Sequence, residues 1–335
     1  MHDSAGQPHM KSWSEAGNDE EARAFAKPAD HEKKLTGTGS ASGSDSFVVV
    51  RSPGVPIPLI VCSPHSGRNY TAEFLARSRL PLDALRSGED FHVDTLIATA
   101  PQYGATLLCA TFPRVVCDVN RASLDLDPRM IENGDESLFS PSERGRAGLG
   151  SVPGVVSGGR QVYGRKLSMD ETAARLRLFW HPYHAMLKKL IDEMRAEYGF
   201  CLVLDMHSMP PGIDGTKADI VIGDRFGSSS KPVFVQALGK SLLALSFSVA
   251  RNHPFAGGFI TSHYGCPEEN VSVIQLEMSR ALYMCARPGG GYGLNPRFAG
   301  KISQIIADMA RCVREQQEVG CTVSDRVIQA GRMYP

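Results

Sequence analysis

Short apolar runs separated by polar, turn-forming stretches recur along most of the chain. PLIVCS (58–63), closed by Pro64 and Gly67, has the look of a buried strand. The same pattern predicts strands at ATLLCAT (105–111), VVC (115–117), CLVLDM (201–206), ADIVIG (218–223) and VSVIQLEM (271–278). Residues 170–198 change period. Leu176, Phe179, Trp180, Tyr183, Leu187, Leu190, Ile191 and Met194 recur at helical spacing, with Ser168 or Asp170 able to cap the start and Gly199 to end it. Further helices are expected over 93–104 and near 231–245 and 295–318. Strands that alternate with helices predict a single three-layer α/β domain, with a mostly parallel central sheet flanked by helices.

The domain is expected to span residues 47–335. Residues 1–46 are polar, mix both charges and end in LTGTGSASGSDS, so they read as a disordered N-terminal extension with a flexible linker. A Gly/Pro/Ser-rich stretch at about 127–160 is long for a loop in a compact domain, which marks it as functional or disordered. Gly257–Gly258 and Gly289–Gly291 lack the spacing of a dinucleotide or P-loop fingerprint.

Composition narrows the setting. Lys plus Arg and Asp plus Glu number 36 each, so bulk charge offers no footprint for nucleic acid or an anionic membrane. No apolar run approaches the roughly 18 residues of a membrane span, and the start of the chain has no apolar leader core. A cytoplasmic protein without a membrane partner is expected. The eight cysteines form no CxxC pair, and Cys62, Cys109, Cys117 and Cys201 lie in apolar runs. Reduced, buried thiols follow from that pattern.

Polar residues then stand out against the strands. His65 follows the strand at 58–63, His207 follows the one at 201–206, and Glu277 lies at the end of 271–278. In an open α/β sheet, ligands bind at the carboxyl ends of strands. Asp90, in GEDFHVD, would complete a set of two histidines and one carboxylate, which suits zinc with one position left for water. Other divalent ions accept the same donors. Bound zinc brings the pKa of water toward about 7, and a nearby carboxylate can act as its base. Glu277 takes that role, since a buried glutamate in an apolar strand is expensive unless paired or functional. Asp205, two residues before His207, would point to the same side and can orient its imidazole.

Other residues carry weaker signals. In PRVVCDVNR (113–121), Arg121 with Asn120 can grip a substrate carboxylate, while Arg114 and Asp118 read as a structural ion pair. HPYH (181–184) sits in the strongest helix and reads as structural. His92 and Asp94 flank Asp90 as supporting residues. The glycines of NHPFAGGFITSHYG allow a loop to approach a ligand closely, as a lid would.

Taken in order, SPHSG, GEDFHVDTL, RVVCDVNR, DMHSMP, NHPFAGGFIT with HYG and Pro267 after it, and QLEMSRALYM resemble the N-formylglutamate amidohydrolase family over about residues 57–285. The resemblance implies a fold related to zinc carboxypeptidases and the aspartoacylase group. It implies a zinc hydrolase of N-acyl amino acids, with N-formyl-L-glutamate as reference substrate, acting late in histidine breakdown. His65, Asp90 and His207 match the metal positions, Glu277 the base, and Asn120–Arg121 the pair that grips a substrate carboxylate. Two departures stand out. The carboxypeptidases' HxxE is absent, because Ser66, Gly67 and Arg68 follow His65, so the carboxylate ligand comes from Asp90, Glu89 or Asp94. The family's Asp-Thr-Asp-Trp and Asp-Leu-Asn-Arg are Gly-Glu-Asp-Phe and Asp-Val-Asn-Arg here.

Overall fold

The computed structural model describes residues 41–44, 46–287 and 291–331. Its strands, in chain order, are β1 (Ala41–Ser44), β2 (Phe47–Val50), β3 (Leu59–Ser63) and β4 (Thr106–Ala110). A small hairpin of β5 (Val155–Val156) and β6 (Arg160–Gln161) follows. Then come β7 (Cys201–Met209), β8 (Ile220–Gly223), β9 (Val249–Arg251) and β10 (Val271–Ser279), and a last hairpin of β11 (Met284–Ala286) and β12 (Tyr292–Leu294). Eight of them form one sheet, in the order β1-β2-β4-β3-β7-β10-β8-β9. Its centre, β4-β3-β7-β10, is parallel. β2 joins β4 antiparallel, and β8 joins β10 antiparallel.

Both faces of the sheet are covered. On one face Val61, Leu107, Leu204 and Leu276 pack with Leu238 and Leu242 of the helix Pro232–Ala244 and with Ile302, Ile305 and Met309 of the helix Pro296–Gly331. On the other, Ile60, Cys62, Leu108, Val203 and Val273 pack with Tyr183, Leu187, Leu190 and Ile191 of the helix His181–Tyr198. Burial on two faces is why the central strands read as unbroken apolar runs rather than alternating ones. Cys62, Cys109, Cys117 and Cys201 are free and buried, as their surroundings in the sequence require. Among the described residues no helix is long and apolar enough to cross a membrane.

The long helical region is one rod with a defect. Ser168 caps Met169–Arg175 in a capping box with Glu171, a π turn spans Leu176–Trp180, and His181–Tyr198 continues to Gly199 at φ 79°. Pro182 has no N–H for the carbonyl of Leu178 and its ring crowds that carbonyl, and a π turn relieves both problems.

Several expected elements differ. The helix over 93–104 is one turn at Val93–Leu96 and a 3-10 turn at Ala100–Tyr103, because Pro101 cannot donate back to Ile97. VVC (115–117) is a buried turn, with Val116 N–H on the carbonyl of Pro113 at 2.9 Å, rather than a strand. β7 runs through Met209, so His207 lies inside the strand and not after it. The stretch 127–160 is folded on itself through 3-10 turns at Pro128–Met130 and Glu136–Leu138, a helical turn at Glu143–Arg146 and the β5 strand. The extension expected over 1–46 lies outside the described residues up to residue 40. Its last part, Ala41–Ser44, pairs with β2 rather than serving as linker.

Two contacts yield predictions. A Cβ on Gly67 would sit 2.2 Å from the carbonyl oxygen of Phe112, and both neighbours are backbone. Gly67→Ala should cost about 1–3 kcal/mol of stability by chemical denaturation, the range for overpacking a closed site. His184 gives Nε2–H to the carbonyl of Val119 at 2.8 Å and accepts from Tyr264 Oη at Nδ1, 2.9 Å. Burial pushes its pKa down to about 4. Below about pH 6.5 the unfolded chain binds a proton that the folded one refuses, so stability falls as pH drops toward 4, by on the order of 3 kcal/mol. Urea midpoints at pH 7 and 4.5 should differ less in His184→Gln than in the wild type.

Candidate active site

The period of two along a strand builds the centre of the site. On the face that meets the helix His181–Tyr198, β7 presents Cys201 and Val203 and then Asp205 and His207. β10 presents Val271 and Val273 and then Gln275 and Glu277. The pairing sets Asp205 beside Gln275 and His207 beside Glu277. The apolar halves sit in the core, and the polar halves gather at one end of the sheet. His65 arrives two residues past β3, and its backbone carbonyl accepts the N–H of Asp90 at 3.0 Å. Arg280, just beyond β10, holds the Asp90 loop by donating to the carbonyls of Ser87 and Glu89 at 3.3 and 2.6 Å.

Asp90 sits between the two imidazoles. Its Oδ2 lies 3.0 Å from His207 Nδ1 and 3.5 Å from His65 Nδ1. Its Oδ1 accepts from Ser208 Oγ at 2.9 Å. His65 gives its Nε2–H to Asp118 Oδ1 at 2.8 Å, while His207 Nε2 lies 2.9 Å from Asp205 Oδ2 and 3.2 Å from Asn120 Nδ2. With its Nε2 hydrogen used in this way, His65 turns its Nδ1 lone pair toward Asp90, and His207 Nδ1 sits within hydrogen-bond distance of the same carboxylate oxygen. His65 Nδ1 is buried with no hydrogen-bond partner. Ligand atoms of His65, Asp90 and His207 lie within 4.8 Å of one another, and all three residues are buried. Among the described residues no other such group of metal-binding side chains comes together.

The electrostatics ask for a cation. Burial opposes the ionisation of Asp90, but bonds from His207 and His65 outweigh it and hold the carboxyl well below the usual range. For Asp118, burial is likewise outweighed, by Arg114 and His65. Burial works against a proton on His207, yet Asp205 and Asp90 pull one on and raise its pKa well above the ordinary value. Buried carboxylates thus outnumber the imidazoles they surround, and a divalent ion suits such a set. The orphaned Nδ1 and this charge balance both fit a metal held by His65, Asp90 and His207. Of the other acids considered for that position, Glu89 accepts from Tyr70 and Arg86, and Asp94 pairs with Arg68.

Glu277 takes a hydrogen bond from Gln275 Nε2 at 2.9 Å. Burial pushes its pKa up to about 8, against the pull of His207 and with the help of Asp90. Asn120 has a committed side chain. Its Oδ1 accepts from Ile260 N at 2.8 Å, and its Nδ2 lies 3.2 Å from His207 Nε2 and 3.4 Å from Gln275 Oε1. Arg121 donates from Nε to the carbonyl of Leu149 at 3.1 Å, and its own carbonyl accepts from the Trp180 indole at 2.9 Å. Arg114 forms the expected ion pair with Asp118, at 2.8 Å, and is about a third exposed (32%). Its charge is also felt by Asp90 and Glu277.

Sequence reading missed the second task of Asp118, which is to back His65, and it missed Gln275 altogether. The signal for Gln275 was there: it precedes Glu277 by two residues, as Asp205 precedes His207. The HPYH pair does not enter the site; His184 spends both nitrogens on structure and His181 is exposed. Asp94 is taken up by Arg68, and the His92 ring packs on Phe91. The glycine loop forms a wall: Gly258 N–H donates to Gln275 Oε1 at 2.7 Å. A surface cavity of about 580 Å³ lined by Arg129, Arg146, Arg165 and Lys166 lies in the 127–166 region and contains none of these residues.

Known proteins resemble this chain in sequence and fold. Residues 57–284 match the family model of N-formylglutamate amidohydrolase. The N-formylglutamate deformylase of Pseudomonas aeruginosa is 31% identical over 239 residues, which is 68% of this chain and 82% of that protein. The Pseudomonas putida protein of the same name is 29% identical over 245 residues, with the same coverage of 68% and 82%. The crystal structure of N-formylglutamate amidohydrolase from Ralstonia eutropha superposes with a TM-score of 0.76 at 32% identity, over 82% of this chain and all (100%) of that one. A gene product of Agrobacterium tumefaciens, at 16% identity and a TM-score of 0.59, shares the fold, over 82% of this chain and 96% of that one. The chain belongs to the N-formylglutamate amidohydrolase family of amide-bond hydrolases.

Proposed function

We propose that this chain hydrolyses N-formyl-L-glutamate to formate and L-glutamate, a step in histidine breakdown, with a zinc ion held by His65, Asp90 and His207. The observation that carries the reading is the convergence of two buried Nδ1 atoms on one carboxylate oxygen, with Glu277 in register beside His207. The names of the relatives support the substrate. A bound zinc ion would supply Lewis acidity and make water nucleophilic near neutral pH.

The chain's own residues supply the rest. Glu277 accepts a proton from the attacking water as the new C–O bond forms at the formyl carbon. It returns that proton to the nitrogen as the C–N bond breaks. A pKa near neutrality suits a group that must do both. Asp118 holds His65 with its Nδ1 open, and Asp205 and Asn120 flank Nε2 of His207 and orient its ring. Arg114, held by Asp118, brings a positive charge whose field reaches Asp90 and Glu277, which would favour negative charge developing there. Arg121 receives a substrate carboxylate, and Asn120 anchors the loop next to it.

Elemental analysis should return about one zinc per chain in the wild type and in Glu277→Gln, and a loss of zinc in His207→Ala. Glu277→Gln should lower kcat by roughly 10²–10⁴-fold; near-normal turnover with zinc in place refutes the base assignment. Arg121→Ala should raise KM about tenfold or more, the effect of losing a hydrogen bond to a charged group. In a panel of formyl, acetyl and succinyl amino acids, N-formyl-L-glutamate should have the highest kcat/KM, and another winner would overturn the substrate.

A further inference from the structure

The side chain that faces Glu277 is neither a metal ligand nor a substrate anchor. Gln275 precedes Glu277 by two residues on β10, so both project from one face. Its Nε2 lies 2.9 Å from Glu277 Oε1. Its Oε1 accepts the N–H of Gly258 at 2.7 Å and faces Asn120 Nδ2 at 3.4 Å. A backbone N–H can only donate, so the atom opposite Gly258 has to be the amide oxygen. The amide nitrogen is thereby turned onto Glu277. Asn120 is oriented by the same logic, because its Oδ1 takes the N–H of Ile260 at 2.8 Å. Gly258 comes this near because it lacks a side chain: a Cβ there would lie 2.5 Å from the Asn120 amide. Gln275 and Glu277 are 4% and 7% exposed, so bulk water does not take over these bonds.

We infer that Gln275 is a positioning residue for Glu277. Pinned by Gly258 and Asn120, its amide holds one carboxylate oxygen in place and leaves the other for proton transfer. The inference rests on the reading of Glu277 as the base. It gives the glycine loop a purpose, because Gly258 sets the amide orientation that Glu277 needs.

Glutamine-to-glutamate exchange separates the two ends of the amide. Gln275→Glu keeps an oxygen for Gly258 and Asn120 and replaces the amide donor with a carboxyl that either shares a proton with Glu277 or repels it, with little change in shape. Gln275→Leu removes both. With N-formyl-L-glutamate as substrate, kcat should fall about 10–100-fold in Gln275→Glu, the usual cost of losing a partner that orients a reacting group. KM should stay within about twofold, with zinc content as in the wild type. Gln275→Leu should lose at least as much kcat. A wild-type kcat in Gln275→Glu, a loss carried by KM, or a loss of zinc in that variant would overturn the inference. Near-normal turnover in Glu277→Gln would instead remove the base assignment on which it rests.

Discussion

β7 and β10 pair in parallel for nine residues, from Cys201 opposite Val271 to Met209 opposite Ser279. With side chains alternating between faces, this register decides which groups meet. A slip by one residue would bring Met206 or Ser208 alongside Glu277 and turn the acid–histidine pairs away from each other. The register is held by burial: Val203 and Val273 are locked under the helix His181–Tyr198, and Leu204 and Leu276 pack on the opposite face. The apolar halves of two strands thus fix the positions of their polar ends, where the chemistry resides.

Those polar ends are costly to bury. Asp90, Asp118, Asp205, His65 and His207 are each 3% exposed or less. Their desolvation is offset by reciprocal contacts: Asp118 with His65, Asp205 with His207, and Asp90 between the two rings. Arg114 and Arg280 bring positive charge from the rim, at Asp118 and Asp90. Removing one member would leave another buried and unpaired, which costs more than the pair contributes. The arrangement is rigid for that reason, and rigidity is what ligand convergence and proton transfer require.

Much of the fold was legible because its signals are local. Central strands buried on both faces read as apolar runs, and the long helix carried its period, cap and stop in the sequence. The failures share a cause. Pro101 and Pro182 change hydrogen bonding without changing hydrophobicity, so a 3-10 turn and a π turn were hidden inside helical patterns. VVC was read as a strand because a buried turn and a buried strand need the same apolar residues. The β1 pairing was missed because ASGS has no apolar signature, and the segment pairs with β2 through its backbone.

The sequence by itself determined the residue types at the strand ends: His65, His207 and Glu277, each adjoining an apolar run, and Asp205 two residues from His207. It could not choose among Glu89, Asp90 and Asp94, because the choice depends on contacts made far along the chain. Tertiary structure brings Asp90, and not the other two, to the histidines: Tyr70 and Arg86 take Glu89, Arg68 takes Asp94, and the N–H of Asp90 bonds the carbonyl of His65. Asn120 and Gln275 were resolved in the same way, since an amide side chain has no fixed role until its neighbours are known. Local sequence specifies periodicity and chemistry; which polar group faces which depends on long-range packing, through strand register and the hydrogen bonds that each loop makes when it closes.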